Sequence, residues 1–228
     1  MIHVIFDMDG VIFDSESALL GCWVDTGARY GFEKEFVRNT YIRCIGTNSN
    51  QTARIFQDAF LEKLGEEKLR CFREEIDALY RERYPDGVMP MKAGVKEILT
   101  YLKAVGIKAG IASSTKKQIV EWRIRTAGLD EYFIGCIGGD AVKISKPDPE
   151  IYLLACKEFG FEPAATFAIE DSYNGIRSAK AAGLMPIMVP DILPADEEMR
   201  AISKTVCADL FEAAEYLQNT MGQFTKQS

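Results

Sequence analysis

Apolar residues follow two alternating patterns along most of the chain. Short, mostly apolar runs predict buried strands at "IHVIF" (2–6), "IKAGIA" (107–112), "FIGCI" (133–137), "TFAI" (166–169) and "PIMV" (186–189). Between them, apolar residues at helical spacing predict helices that end at Gly106, Gly128, Gly160 and Gly183. Strands and helices that alternate at this spacing predict the α/β class, with a doubly wound parallel sheet.

Residues 16–86 depart from this alternation. Their apolar positions have helical spacing with little strand signal, and Gly65 stands at a predicted helix end. The turn-rich stretch "YPDGVMP" (84–90) then leads back to the alternating pattern. The sequence therefore predicts a core domain of residues 1–15 and 87–228, with a helical cap domain of residues 16–86 inserted after the first strand.

The charge balance limits the possible partners. A net charge of −7 argues against nucleic acid or an anionic membrane as the main partner, because both require a basic surface. An anionic ligand must therefore be attracted by local cations. The six cysteines are scattered, and we find neither a leader segment nor an apolar run long enough to span a membrane. We expect a monomeric cytoplasmic protein with free thiols.

Polar residues follow the predicted strands at the points where the strands end. Asp7 and Asp9 come after the first strand, and Ser113 and Ser114 come after "IKAGIA". Lys146 lies in the loop after the third strand, and "TFAI" is followed by the acids Glu170 and Asp171. Ligands of doubly wound sheets bind outside the carboxyl ends of the strands, so these side chains are expected to converge.

A phosphate and a hard divalent cation explain this set. Two carboxylates on one side of a strand end repel each other unless a positive charge compensates them. Asp7 and Asp171 can supply the oxygen ligands that Mg²⁺ prefers, and Lys146 can neutralise a phosphoryl oxygen. Ser113 and the amides of its loop can hold the remaining phosphate oxygens.

Four stretches resemble the ordered motifs of the haloacid dehalogenase superfamily: "DMDGVIFD", "IASST", "SKPDPEIY" and "IEDSYNGIRSAKAAG". The helical insert resembles the C1-type cap of the branch that contains β-phosphoglucomutases and small-molecule phosphatases. The resemblance implies that Asp7 is the nucleophile, that Asp9 is the general acid and base, and that Lys146 assists catalysis.

The resemblance also implies the ligands of the site. Ser113, Ser114 and Lys146 would bind the phosphate. The implied cofactor is Mg²⁺, held by Asp7, the main-chain carbonyl of Asp9, Asp171 and, directly or through water, Glu170.

The cap sequence favours a phosphatase over a mutase. The mutases that this chain resembles carry a histidine on the first cap helix and basic residues beside a glycine of the cap loop. Leu19, Ile45 and Ser49 stand near those positions here. We therefore expect hydrolysis of a small phosphorylated metabolite with a neutral or polar leaving group. The cap residues predicted to contact that group are Gly46, Thr47, Asn48 and Gln51.

Two alternatives stay open. One is a β-phosphoglucomutase-like mutase. The other is a regulator that accepts a phosphoryl group or binds a phosphometabolite without turnover, because such domains also use strand-end acids, a hydroxyl and a lysine. The large helical insert and Asp9 count against the regulator.

Overall fold

The computed structural model describes residues 2–47, 49–85 and 88–224. Within these ranges the strands are β1 (His3–Phe6), β2 (Ala109–Ser113), β3 (Phe133–Gly138), β4 (Thr166–Glu170), β5 (Met185–Met188) and β6 (Thr205–Val206). They form one six-stranded parallel sheet in the order β3-β2-β1-β4-β5-β6. This confirms the α/β class and the doubly wound sheet.

The helices are α1 (Ser15–Arg29), α2 (Lys34–Ile42), α3 (Ser49–Arg83), α4 (Val95–Ala104), α5 (Lys117–Thr126), α6 (Glu150–Phe159), α7 (Tyr173–Ala181), α8 (Glu197–Ile202) and α9 (Leu210–Phe224). The elements α8, β6 and α9 follow the last strand that the apolar pattern predicted. None of the helices in the described part of the chain is long and apolar enough to cross a membrane.

Side chains of the central strand alternate between the two faces of the sheet. Val4 and Phe6 pack into the apolar cluster on one face, and Ile5 packs into the cluster on the other face. Both clusters are covered by helices, so β1 is buried on both sides. The continuous apolar run at the N-terminus is the consequence.

Helices α1, α2 and α3 share an apolar cluster of their own, separate from those of the sheet. Aromatic rings fill it: Trp23 meets Phe56 edge to face with ring centres 5.0 Å apart, and Phe60 lies against Phe72 at the same distance. Helix α3 is interrupted at Gly65, whose φ of 73° is left-handed. This packing supports a separate cap, while its boundaries at residues 16 and 86 stay a prediction.

The two chain segments that join these helices to the sheet lie side by side. The Asp14 N–H donates to the Pro90 carbonyl at 2.8 Å, and the Lys92 N–H donates to the Ile12 carbonyl at 2.9 Å. Asp14 stands at the N-cap position of α1, but its side chain makes no cap hydrogen bond and lies 3.9 Å from the Lys92 ammonium. The paired segments position the helices over the carboxyl edge of the sheet.

Candidate active site

The four predicted motifs meet at the carboxyl edge of the sheet. Strand β1 lies between β2 and β4, so Asp7 after β1 comes close to the residues at the ends of those two strands. Lys146 reaches the same place from the loop between β3 and α6. Because parallel strands end on one side, residues 139 positions apart, Asp7 and Lys146, are in direct contact there.

Lys146 is the centre of this site. Its ammonium donates to Asp7 Oδ1 at 2.8 Å, to Glu170 Oε1 at 2.6 Å and to the Ala112 carbonyl at 3.1 Å. Only 2% of Lys146 is exposed. The Tyr152 hydroxyl, also buried, donates to the same Oε1 of Glu170. Three acceptors therefore hold the ammonium in one geometry, as a buried charge requires.

The acids outnumber the cations. Asp7, Glu170 and Asp171 are all buried, and one oxygen of each lies within 4.8 Å of the others. Burial raises the pKa of Asp7 to about 8 against the opposing effect of Lys146, and the charge of Glu170 adds to the rise. Burial also raises the pKa of Asp171, and Glu170 and Asp7 raise it further. With all three carboxylates ionised, this group and the Lys146 ammonium carry an excess of two negative charges. The raised pKa values mean that a bound cation favours this ionised state.

The donor set fits a hard divalent cation. Glu170 already accepts hydrogen bonds from Lys146, Tyr152 and Ser172. The Asp171 carboxylate, in contrast, has no hydrogen-bond or ion-pair partner among the described residues, and it is 4% exposed. Asp7 and Asp171 are therefore the carboxylates best able to bind a cation, and oxygen ligands suit Mg²⁺.

Gly10 makes room for the Asp171 carboxylate. Its φ is +79°, and a Cβ at this position would lie 2.3 Å from Asp171 Oδ2. A side chain at residue 10 would therefore be strained in its backbone and would displace a predicted metal ligand. Glycine at position 10, directly after Asp9 in the motif, therefore allows the Asp171 carboxylate to approach the backbone.

Asp9 is held by three donors. Its Oδ1 accepts from the Ser15 hydroxyl and from Arg123 Nη1, and its Oδ2 accepts from the Thr115 hydroxyl, each at 2.7 Å. Arg123 was not predicted as a site residue. The only signal for it in the sequence is its place on α5 beside the buried face marked by Val120 and Ile124, which is too common a position to indicate a function.

The loop after β2 differs from the expectation in one respect. Ser113 is completely buried, and its hydroxyl accepts a hydrogen bond from the Thr115 N–H at 3.1 Å. Ser114 and Thr115 line the cleft, whereas Ser113 is not among the lining residues. In this arrangement Ser113 shapes the loop, and its neighbours face the cleft.

A cleft of about 450 Å³ separates the sheet edge from the cap helices. Of the predicted cap residues, Gly46 and Thr47 line it, Gln51 is exposed and is not a lining residue, and Asn48 lies outside the described residues. Thr52 contributes instead, with its hydroxyl 2.9 Å from that of Thr47.

The Gly46 backbone comes close to the core. Its φ is +71°, and a Cβ here would lie 2.9 Å from Ser172 Oγ. Glycine therefore allows the cap loop to pack against the residue that follows Asp171.

The cleft also contains a carboxyl group that the sequence did not reveal. Glu16 Oε2 accepts a hydrogen bond from the buried Tyr41 hydroxyl at 2.7 Å, and both residues line the cleft. Burial raises the pKa of Glu16 to about 7, although the hydrogen bond from Tyr41 acts in the opposite direction. The pair adds polar groups to the wall of the cleft that Asp7 and Lys146 also line.

Two basic residues outside the cap loop lie on the cleft wall. The expectation of a neutral or polar leaving group depended on the absence of basic residues from the cap loop. Arg73 of the cap and Lys116 of the core both line the cleft, and neither has an ion-pair partner within the described ranges. A leaving group with an anionic substituent therefore fits as well. Arg43 and Arg54 are exposed and do not line the cleft.

Known proteins are similar to this chain in sequence and in fold. The family model of the haloacid dehalogenase-like hydrolases matches residues 4–189. The chain belongs to this family. A phosphorylated carbohydrates phosphatase of Thermotoga maritima is 32% identical over 190 residues, which are 79% of this chain and 81% of that protein. This haloacid dehalogenase-like hydrolase is accordingly an enzyme of the phosphatase type.

Solved structures place the chain in the branch of β-phosphoglucomutase-like proteins. A Thermotoga maritima protein described as a β-phosphoglucomutase superimposes with a TM-score of 0.76 at 27% identity, over 96% of this chain and 99% of that one. CbbY from Rhodobacter sphaeroides, solved as a variant in complex with xylulose-1,5-bisphosphate, gives a TM-score of 0.70 at 25% identity over 92% and 95% of the two chains. Both solved structures thus share the fold of this chain.

Proposed function

We propose that this enzyme is a Mg²⁺-dependent phosphatase that hydrolyses a phosphorylated carbohydrate, or a similar small phosphorylated metabolite, through an aspartyl-phosphate on Asp7. The observation that carries the proposal is the buried group of Asp7, Glu170 and Asp171 around the single ammonium of Lys146. Its excess of two negative charges matches the charge of one divalent cation. A phosphoryl group can then approach Asp7 without a large electrostatic barrier.

Asp7 and Asp171 would hold the cation, and the family resemblance adds the main-chain carbonyl of Asp9. When bound, Mg²⁺ supplies positive charge to the phosphoryl oxygens. Lys146 contributes a second positive charge, and its ammonium is held 2.8 Å from Asp7 Oδ1. Ser114 lines the cleft beside it and can donate a hydrogen bond to the phosphate, whereas the Thr115 hydroxyl donates to Asp9.

The reaction has two steps. In the first, a carboxylate oxygen of Asp7 bonds to phosphorus, the bond from phosphorus to the leaving oxygen breaks, and Asp9 gives its proton to that oxygen. In the second, water attacks phosphorus, Asp9 takes a proton from the water, and the Asp7 carboxylate leaves. Phosphate and an alcohol are the products, and both aspartates return to their initial state.

Support for the substrate class comes from the wall of the cleft. Glu16, Tyr41 and Thr47 offer hydrogen bonds that suit the hydroxyl groups of a sugar. Arg73 and Lys116 add positive charge for a second anionic substituent. The phosphatase from Thermotoga maritima acts, by its name, on phosphorylated carbohydrates, which agrees with a polyhydroxylated substrate.

A mutase is the second candidate, since β-phosphoglucomutase-like structures share the fold. Leu19 lines the cleft near the position where the mutases that this chain resembles carry a histidine. An aliphatic side chain cannot assist the transfer of a proton or bind a phosphate. This favours hydrolysis over return of the phosphoryl group to the sugar.

Release of inorganic phosphate tests the proposal. The protein would be assayed on a panel of sugar phosphates and nucleotides, with Mg²⁺ or EDTA, and glucose 6-phosphate formed from β-glucose 1-phosphate would be measured in parallel. We expect Mg²⁺-dependent release from sugar phosphates that Asp7→Asn abolishes while the protein stays folded. The exposed Asp130, changed to Asn, serves as the matched control. Turnover by Asp7→Asn would exclude Asp7 as the nucleophile, and formation of glucose 6-phosphate without release would identify a mutase.

A further inference from the structure

We propose that Arg123 is a positioning residue for Asp9, and that it orients this carboxyl group so that protons are exchanged through Oδ2 rather than Oδ1. The inference rests on the proposed function for the role of Asp9. It is carried by the contacts of the two side chains, which lie 114 residues apart in the sequence.

Arg123 projects from α5 into the wall of the cleft. Its Nη1 donates to Asp9 Oδ1 at 2.7 Å, and its Nη2 donates to the Tyr80 hydroxyl at 3.3 Å. The Arg123 side chain is 13% exposed and that of Asp9 is 21% exposed, so the pair is largely shielded from water. A guanidinium held at two nitrogens has little freedom to rotate, and its partner is fixed with it.

The two oxygens of Asp9 have different surroundings. Oδ1 faces the guanidinium of Arg123 and the hydroxyl of Ser15. Oδ2 faces the hydroxyl of Thr115. A guanidinium has donors only, whereas a hydroxyl can donate or accept. A proton on Oδ1 would meet the Arg123 N–H, which cannot accept it, beside the Ser15 hydroxyl. A proton on Oδ2 meets only the Thr115 hydroxyl, which can reverse its direction.

This asymmetry assigns the oxygen that works in both steps. In the first step the proton leaves Oδ2 for the oxygen of the departing alcohol as the bond from that oxygen to phosphorus breaks. In the second step Oδ2 takes a proton from the attacking water as the bond from Asp7 to phosphorus breaks. Arg123 neither gains nor loses a proton in either step.

The other contact of Arg123 links Asp9 to the cap. Tyr80 belongs to α3, and its hydroxyl donates to Met89 Sδ at 3.0 Å, which leaves an oxygen lone pair to accept from Arg123. A helix of the cap therefore supports the residue that orients Asp9. Tyr80→Phe should weaken this support without touching the ion pair.

A double-mutant cycle tests the proposal. The variants are Arg123→Met, Asp9→Asn and their combination, with Arg123→Lys and Tyr80→Phe as milder changes. Arg125→Met removes an exposed arginine from the same helix and is the control. Single-turnover rates and steady-state kcat and KM would be measured for two substrates. One is a sugar phosphate, whose alkoxide leaving group needs a proton, and the other is p-nitrophenyl phosphate, whose leaving group needs little protonation. Thermal unfolding would verify that each variant is folded.

We expect Arg123→Met to lower kcat for the sugar phosphate about 10- to 100-fold. This is less than the roughly 10²–10⁴-fold that general acid–base catalysis contributes in full, because the variant misplaces Asp9 without removing it. The rate of phosphoryl transfer from p-nitrophenyl phosphate should change much less. In the Asp9→Asn background, Arg123→Met should have no further effect, because Arg123 acts through Asp9. Arg123→Lys should recover part of the rate, Tyr80→Phe should cause a smaller loss, and Arg125→Met should match the wild type.

Three results would overturn the proposal. An equal loss in the Asp9→Asn background would show that Arg123 acts independently of Asp9. A raised KM with unchanged kcat would make Arg123 a substrate contact. Faster turnover by Arg123→Met would mean that the ion pair restrains Asp9.

If Arg123→Met does not fold, the same comparison applies to Arg123→Lys and Tyr80→Phe. A wild-type protein that releases no phosphate from any substrate refutes the proposed function itself, whereas an active wild type with independent effects refutes only the role of Arg123.

Discussion

Asp171→Asn should make the metal-free enzyme more stable while it removes the stabilisation by Mg²⁺. The substitution keeps the shape of the side chain against Gly10 and takes one negative charge from the group of Asp7, Glu170 and Asp171. Without a cation, the charge of Asp171 repels the neighbouring carboxylates. When a cation is bound, the Asp171 carboxylate is one of its ligands.

The size of the effect follows from the separation of the charges. Their oxygens lie within 4.8 Å of one another, and two unit charges at that distance repel by about 3.5 kcal/mol at an effective dielectric constant of about 20. Uptake of protons relieves part of this repulsion, because the pKa values of Asp7 and Asp171 are raised. We therefore expect the free energy of unfolding in EDTA to rise by about 1–3 kcal/mol, or roughly 2–4 °C per kcal/mol for a chain of this length.

Bound Mg²⁺ should reverse the order. At about 100 times its dissociation constant, a ligand that binds only the folded state stabilises it by about 2.7 kcal/mol. The wild type should show this gain, and Asp171→Asn should show little of it. Thermal unfolding with EDTA and across a Mg²⁺ titration measures both quantities, with Asp130→Asn as the exposed control. A variant that is less stable in EDTA, or that keeps the full Mg²⁺ response, would refute this account of the site.

Three other substitutions probe the site. Lys146→Met should destabilise the protein in EDTA by about 3–5 kcal/mol, because the buried carboxylates of Asp7 and Glu170 lose the ammonium that neutralises them. Urea unfolding measures the loss of stability, and a variant as stable as the wild type would contradict the prediction. Glu16→Gln should flatten the pH dependence of stability. The pKa of Glu16 is about 7 in the folded protein and 4.5 ordinarily, so the stability of the wild type falls as pH rises between those values. In urea unfolding from pH 4.5 to 8, the variant should lose about 1–3 kcal/mol less stability than the wild type. Identical pH profiles for the two proteins would contradict this role of Glu16. Gly46→Ala should lower the free energy of unfolding by about 1–2 kcal/mol, because φ there is +71°. It should also raise KM, because the added methyl group moves the cap loop away from Ser172. An unchanged KM would show that this loop does not contact the substrate.

The edge of the sheet that carries the candidate site could be predicted from the sequence alone. Alternating strands and helices require a parallel sheet, and parallel strands end on one side, so residues directly after strands must converge there. Asp7, Glu170 and Asp171 could therefore be located by their place relative to the apolar runs. Lys146 lies further along the loop after β3, and the stretch "SKPDP" singled it out. Gly65 marked the break in the cap helix in the same way, because local backbone preference decided it.

The tertiary structure alone decided which side chains surround this edge. Arg123 meets Asp9, and Tyr41 of α2 meets Glu16 of α1, only because separate elements pack at particular distances and rotations. The same packing brings Arg73 and Lys116 to one cleft, buries Ser113 and leaves Gln51 on the surface. Periodicity reports which face of an element is buried. It carries no information on which long, flexible side chain reaches across from another element, and those contacts shape the surroundings of Asp9 and of the leaving group.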